Sequence, residues 1–283
     1  LALEERTLAE ALKERGYATA IIGKWHVGRG EFLPAKQGFD VVFGTDDAEL
    51  PGSIRRWFGP DYGIPVEHGV EGEYFSDRVT REAERFLEAH AERPFFLYLP
   101  HYAVHSRHVG KPEAEAYFER KPGRPEGATK GLAAMLRGLD DSVGSVLRKL
   151  AELKLAESTI VVFMSDNGGL VQTRSNGALR AGKGWLYEGG IRVPMFVRWP
   201  GKVRAGTVSA VPIAIEDLYP TLVEAAGGKV PERGLDGVSL LPLLGGTGAL
   251  PERAIAVHMP HYADQGGFPG TALRWGDWKV VED

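Results

Sequence analysis

The sequence predicts an α/β fold: a mainly parallel sheet sandwiched by helices, followed by the start of a small antiparallel C-terminal subdomain. Three observations predict it. A helical pattern, a short apolar strand and a polar loop follow one another three times, with strands at 17–22, 95–99 and 160–164. The third, Ile160-Val161-Val162-Phe163-Met164, is a continuous β-branched and aromatic run. Such a run reads as a strand buried on both faces, as in parallel sheets. Each strand ends in a loop carrying Lys, His, Asp or Asn. In such sheets ligands bind beyond the carboxyl ends of the strands, so these loops are expected along one edge. The α/β domain is assigned to residues 1–245 and the start of the subdomain to 246–283.

Each element follows in order. Thr7-Leu8-Ala9-Glu10 has capping-box spacing and opens the first helix, with Leu8, Ala11 and Leu12 on one face. Gly16 suits its C-terminus. Residues 31–75 are rich in Gly, Pro and aromatics and lack periodicity. They read as an irregular, substrate-facing excursion in which Phe39, Val41, Val42, Phe43, Trp57 and Phe58 need burial. Ser76 is a candidate N-cap for a helix through Val79, Ala83, Phe86, Leu87 and His90 that ends before Pro94. Residues 110–130 read as an exposed loop. The strongest helical stripe is Leu132, Met135, Leu136, Leu139, Val143, Val146, Leu147 and Leu150. Residues 195–199 form another strand, and Glu216-Asp217 opens a helix through Leu222, Val223 and Ala226. Residues 228–250 alternate turn signals with leucines. Residues 274–279 read as two strands around a Gly276-Asp277 turn.

Bulk properties narrow the function. At 283 residues, 43% hydrophobic and 25% charged, the chain has the make-up of a soluble globular domain. A net charge of −4 gives no global basic field for nucleic acid, so any anion site is a local cluster. No apolar run approaches the ~20 residues of a membrane-spanning helix. There is no cysteine, which excludes disulfides, thiolate metal sites and a cysteine nucleophile in these residues. The chain starts at Leu1 in a helical pattern with no strand before it, and residues 278–283 look like a strand cut short. It is expected to be a fragment lacking sequence at both ends.

Four groups of residues carry candidate chemistry. Asp166 and Asn167 end the third strand and offer hard oxygen donors, suited to Ca²⁺ or Mg²⁺ rather than zinc. The same Asp-Asn-Gly-Gly is also an ordinary turn. Lys24 and His26, two apart at the end of the first strand, pair a fixed cation with a group titrating near neutrality. Taken alone, His26 reads first as a structural residue of that loop, with Trp25 packing beneath it. His105 shares its loop with His101 and His108 and reads either as a proton donor to a leaving oxygen or as a solvated or capping histidine. Lys183, between Gly182 and Gly184, lies on a loop able to approach a ligand closely. Arg192 reads as an ion-pair partner of Glu188. A cationic, glycine-rich loop near an Asp-Asn pair suggests an anion held against a metal ion.

Taken together, the motifs resemble the sulfatase family of the alkaline-phosphatase-like superfamily. Gly23-Lys24-Trp25-His26-Val27-Gly28, Ser165-Asp166-Asn167-Gly168-Gly169, Gly182-Lys183-Gly184 and the run from Glu188 to Pro194 match that family's motifs, in order. So do Asp217-Leu218-Tyr219-Pro220-Thr221 and the run from Leu235 to Leu240, while Val257-His258-Met259-Pro260-His261-Tyr262 is similar to the C-terminal subdomain of its arylsulfatase-like bacterial members. The resemblance implies hydrolysis of the sulfate ester of a small molecule or glycan, with one Ca²⁺. It implies Asp166 and Asn167 as metal ligands and Lys24, His26, His105 and Lys183 as catalytic residues. Lys24, His105, Lys183 and His261 would contact substrate. The family's nucleophile is a formylglycine made in a C/S-x-P-S-R motif. Neither that motif nor paired aspartates before Lys24 occur here, so the isolated chain is expected to be inactive and to bind calcium poorly. The family implies a periplasmic, extracellular or lysosome-like location. A phosphodiesterase or phosphonate hydrolase of the same superfamily, or a non-catalytic sulfated-glycan-binding homologue, are the alternatives.

Overall fold

The structure, a computed structural model, describes residues 2–45, 56–123, 129–173, 175–231 and 234–282. The parts of the expected excursion at 46–55 and of the expected loop at 124–128 lie outside the described residues. The chain forms two compact units. The first spans Leu1–Pro122, Thr129–Ala156 and Ala225–Lys229; the second is chiefly Glu157–Glu224 and Val230–Asp283.

In the first unit α1 (Leu8–Lys13) begins as its sequence dictates. Thr7 accepts the Glu10 N–H at 3.1 Å, and the Glu10 carboxylate accepts the Thr7 N–H at 2.8 Å. Such reciprocal capping contributes about 1 kcal/mol. Gly16 takes the left-handed conformation after the helix (φ +84°), and the chain enters β1 (Ala18–Ile22), buried at all five positions. β1 is the middle strand of a parallel sheet ordered β2-β1-β3, with β2 at Val41–Phe43 and β3 at Phe95–Tyr98. Ala20 sits opposite both Val41 and Leu97. Ala9 of α1 joins Ile21, Trp25 and Phe39 in a core cluster, with Leu33 and Phe96 packed on it.

Helix α2 (Phe75–Ala89) packs against β1 and against α4 (Lys130–Glu152), which α3 (Pro112–Arg120) also flanks. Thr129 caps α4 by accepting the Leu132 N–H at 3.0 Å. Leu132, Met135 and Leu150 of the expected stripe are buried, but Leu136 and Leu147 are exposed. The buried face instead includes Gly138 and Ser142; Ser142 bonds to Thr80 of α2 at 2.6 Å.

Three expectations for this unit change. Residues 41–43 of the supposed irregular excursion are the edge strand β2. The 110–130 segment contains α3: Pro112 opens it, Glu113 and Glu115 lie in its first turn and Arg120 in its last, all favourable at those ends. Its apolar residues form too thin a stripe to announce a helix. Ser76 is not an N-cap, because Tyr74 holds that place and the helix starts at Phe75. Burying the Tyr74 and Phe75 rings draws the chain into the helix early, and the Ser76 carbonyl accepts the Thr80 hydroxyl at 2.7 Å.

The second unit contains β4 (Val161–Met164), α5 (Glu188–Ile191), β5 (Met195–Arg198), α6 (Leu218–Ala225), α7 (Leu241–Leu244), β6 (Ala254–Met259), β7 (Gly270–Trp275) and β8 (Trp278–Glu282). The expectation that β4 is a parallel strand buried on both faces is overturned. It pairs antiparallel with β5, Val161 opposite Arg198, and Phe163 is 39% exposed beside Phe196. An apolar run signals burial but not the direction of its partner. β6, β7 and β8 form the expected antiparallel sheet, and Gly276 (φ +53°) makes the β7–β8 turn between Trp275 and Trp278. Asp217 ends a short 3₁₀ turn before α6 and is fully buried. It accepts the Ala214 and Val238 N–H groups at 2.8 and 2.9 Å and pairs with the Arg253 guanidinium, so its burial is fully compensated.

Candidate active site

In the first unit the parallel register puts the ends of β1 and β3 at one edge. Gly23 closes β1 with φ +129°; its N–H donates to the Phe43 carbonyl at 2.8 Å, and an added Cβ would lie 2.1 Å from the Pro100 oxygen. Only glycine fits there. The Lys24 N–H donates to that same Pro100 carbonyl at 2.8 Å, tying the β1 loop to the β3 loop. Trp25 is buried and donates to the Phe32 carbonyl at 3.1 Å, which settles it as a packing residue. Lys24 and His26 flank it, half-buried and exposed respectively.

All three histidines after β3 are half-buried, but a buried ring nitrogen sets His101 apart. The His101 Nε2 is buried with no hydrogen-bond partner among the described residues, and burial pushes the ring down to about 4. His101 is therefore neutral at physiological pH. Burial also lowers His108. His105 is partly exposed, its N–H donating to the Tyr102 carbonyl at 2.8 Å and its Nδ1 3.0 Å from the Ser106 carbonyl oxygen. A ring nitrogen facing a carbonyl carries the proton.

In the second unit the turn after β4 is locked by glycine packing. Gly168 donates to the Gly190 carbonyl at 2.9 Å, and a Cβ on it would sit 1.7 Å from the Gly189 oxygen. The Ser165 hydroxyl donates to the Asn167 carbonyl at 2.8 Å. Asp166 is exposed and its carboxylate has no ion pair among the described residues. The Gly169 carbonyl accepts the Lys183 N–H at 3.0 Å, so the lysine loop lies directly on the Asp-Asn turn. The half-buried Lys183 ammonium likewise has no ion pair among the described residues.

The loop between β6 and β7 packs on the lysine loop: Gly184 abuts Ala263 and Gln265, and Gly267 leaves no room for a side chain beside the Gly184 oxygen. That loop carries His261, which is exposed. His258 lies on β6 with its Nδ1 2.9 Å from the Thr271 hydroxyl. Glu188 pairs with Arg192 at 3.6 Å as expected, but also with Lys279 at 2.8 Å and Arg274 at 3.8 Å. The Lys279 hydrogen bond, foremost among these, holds the Glu188 carboxyl below the usual range. Glu188 thus fastens the lysine loop's helix to β7 and β8. Nothing local could show this, since Lys279 is 91 positions away.

Of the predicted residues, Lys24 and His26 lie on the loop after β1 and His105 on the loop after β3, the two loops being tied by the Lys24 N–H bond to the Pro100 carbonyl. The structure gathers Asp166, Asn167, Lys183 and the His261 loop in the second unit. Among the described residues there is no cluster of three or more His, Cys, Asp or Glu side chains fit for a metal. Asp166 and Asn167 amount to a two-donor fragment. Its oxygen chemistry, and a carboxylate with no ion pair among the described residues, fit a hard cation such as Ca²⁺, which takes about six to eight oxygens. No helix among the described residues is long and apolar enough to cross a membrane.

Comparison with known proteins places this architecture. The sulfatase family profile matches residues 1–228. The chain is 35% identical to human arylsulfatase A, over 99% of this chain and 59% of that protein. It is 36% identical to N-acetylgalactosamine-6-sulfatase of the dog (Canis lupus familiaris), over 89% of this chain and 51% of that one. The chain therefore spans between half and three-fifths of these relatives' length. The crystal structure of Ps i-CgsB in complex with k-i-k-neocarrahexaose superposes on the whole chain and on 66% of its own, with a TM-score of 0.82 at 29% identity. A parallel sheet flanked by helices, an antiparallel C-terminal sheet and a family match over most of its length lead to one conclusion: this chain belongs to the sulfatase family.

Proposed function

We propose that the protein of which this chain forms part hydrolyses a sulfate ester of a small molecule or glycan. One observation carries the reading: in the second unit a carboxylate and an ammonium, Asp166 and Lys183, are each without an ion pair among the described residues, yet the Gly169–Lys183 backbone bond holds their segments together. Opposite charges kept close but unspent on each other suit a site that takes a cation on one side and an anion on the other.

In this reading Asp166 and Asn167 contribute oxygens to one Ca²⁺, which when bound draws charge from the sulfate oxygens. Lys24 and Lys183 hold those oxygens, each supplying positive charge where negative charge grows. His105, with its Nδ1–H kept on the Ser106 carbonyl and its Nε2 protonated as well, passes the Nε2 proton to the departing alcohol oxygen, and His26 serves the nucleophile as acid and base. His261 contacts the organic part of the ester. The reading requires a formylglycine nucleophile and further calcium ligands from residues other than these 283.

The test is hydrolysis by the full-length protein of an aryl sulfate and of the phosphate of the same phenol. Faster turnover of the sulfate, by about an order of magnitude or more, is expected, with loss on calcium chelation. Turnover of the phosphate alone overturns the reading.

A further inference from the structure

We propose that Asn176 is a positioning residue that locks the Asp166-Asn167 turn to the Lys183 loop, so that metal ligand and sulfate-holding lysine move as one body. This inference rests on the roles given above to Asp166, Asn167 and Lys183.

Three hydrogen bonds from one side-chain amide make the lock. The Asn176 Oδ1 accepts the Gly169 N–H at 2.8 Å. Its Nδ2 donates to the Gly169 carbonyl at 2.8 Å and to the Ala181 carbonyl at 3.0 Å. Gly169 directly follows the Asp-Asn-Gly turn, and Ala181 lies two residues before Lys183. The Gly169 carbonyl also receives the Lys183 N–H, so one oxygen joins the turn, the lysine and the asparagine.

The geometry admits only an amide in this orientation. Exchanging its oxygen and nitrogen would set an NH₂ against an N–H and an oxygen against two carbonyls. Aspartate, of the same shape, would face both carbonyls with acceptors only. The surroundings leave no slack to absorb the loss: a Cβ at Gly182 would lie 2.4 Å from the Gly169 oxygen and 2.8 Å from the Asn176 Nδ2. Ala181 is held at φ +63°, a conformation that a non-glycine residue keeps only when its surroundings impose it. The Asn176 bond to the Ala181 carbonyl is one such restraint.

The experiment uses the full-length protein with Asn176→Ala and Asn176→Asp. Each variant is assayed for melting temperature, calcium affinity by calorimetry, kcat and KM on an aryl sulfate, and amide exchange at Gly169 and Lys183. Partners that orient ligands from behind typically change metal affinity or activity by about 10–100-fold. Both variants are expected to weaken calcium binding and lower kcat within that range. KM should change less, and the Gly169 and Lys183 amides should exchange faster while the rest of the protein keeps its protection. In a Lys183→Ala background, Asn176→Ala should lower kcat by a smaller factor than in the wild type, while the loss of calcium affinity remains. Variants with unchanged calcium affinity and kcat overturn the proposal, as does a loss of melting temperature with normal kcat in the folded fraction. A wild-type protein that hydrolyses no sulfate ester refutes the parent reading instead, and Lys183 and Asn176 then lose their assigned roles together.

Discussion

Strands β1 and β4 share a sequence signal, a short run of apolar residues ending in a polar loop, yet they are built into the molecule differently. β1 is buried along its whole length between two parallel neighbours. Its polar loop is positioned by the sheet, through the Lys24 N–H bond to the carbonyl at the end of β3. β4 has an antiparallel partner and leaves Phe163 partly exposed. Its polar turn is positioned by other loops, through glycine-to-glycine packing with α5 and the Asn176 amide. In the first unit strand register places the candidate residues; in the second, loop chemistry does. A register is spread over many backbone bonds, whereas a loop lock hangs on a few groups, so the second unit is the easier to disarm without unfolding.

The largest expected effect tests that asymmetry. In the full-length protein Lys183→Ala should lower turnover by about 10²–10³-fold, the usual consequence of removing one preorganised charge donor. The melting temperature should hold, since the ammonium has no ion pair to lose among the described residues. Normal turnover would rule out its role.

Next comes a direct contest between the strands. Ile21 is fully buried in β1, so Ile21→Ala should cost about 3–4 kcal/mol in denaturant unfolding. Phe163→Ala, at a site 39% exposed, should cost about 1–2 kcal/mol, because less apolar area returns to water. Equal losses would mean that β4 is covered as completely as β1 and would break the contrast.

The last effect is acid sensitivity, which builds up over several pH units and should differ between the units in its pH window. His101 is held neutral by burial, its folded value lowered to about 4 from 6.5. The unfolded chain binds the extra proton, so stability is complete above 6.5 and falls as pH drops toward 4. Relative to His101→Leu, the wild type should lose about 1.4 kcal/mol per pH unit across that window. Glu188 is also lowered, through Lys279 first, so its contribution is present above its ordinary 4.5 and lost only below it. A difference between wild type and His101→Leu that stays flat from 6.5 to 4 would show that His101 is not buried.

Much of the fold was legible because its causes are local. The Thr7–Glu10 cap, the β1 and β3 runs, the apolar stripe of helix α4 and the Gly276 hairpin are each set by residues close in sequence. The candidate side chains were legible as well, since Lys24, His26, Asp166, Asn167 and Lys183 stand in short motifs beside glycines. Helix α3 was hidden because its cues lie in its end charges rather than in an apolar stripe. Asn176 was hidden too, because Ser-Asn-Gly reads as any turn and its three partners belong to backbone brought near by folding.

By itself the sequence determined most strand runs and the capped and striped helices, and which residues could bear charge or bind a cation, because caps, runs and turns are set between near neighbours. Only the tertiary structure decided that β4 runs antiparallel to β5, that burial sets His101 apart from His105, and that Glu188 is held from β7 and β8. Strand direction, depth of burial and the partner of a charge depend on what packs alongside. Packing is set by segments tens of residues away, whose arrival no local pattern records.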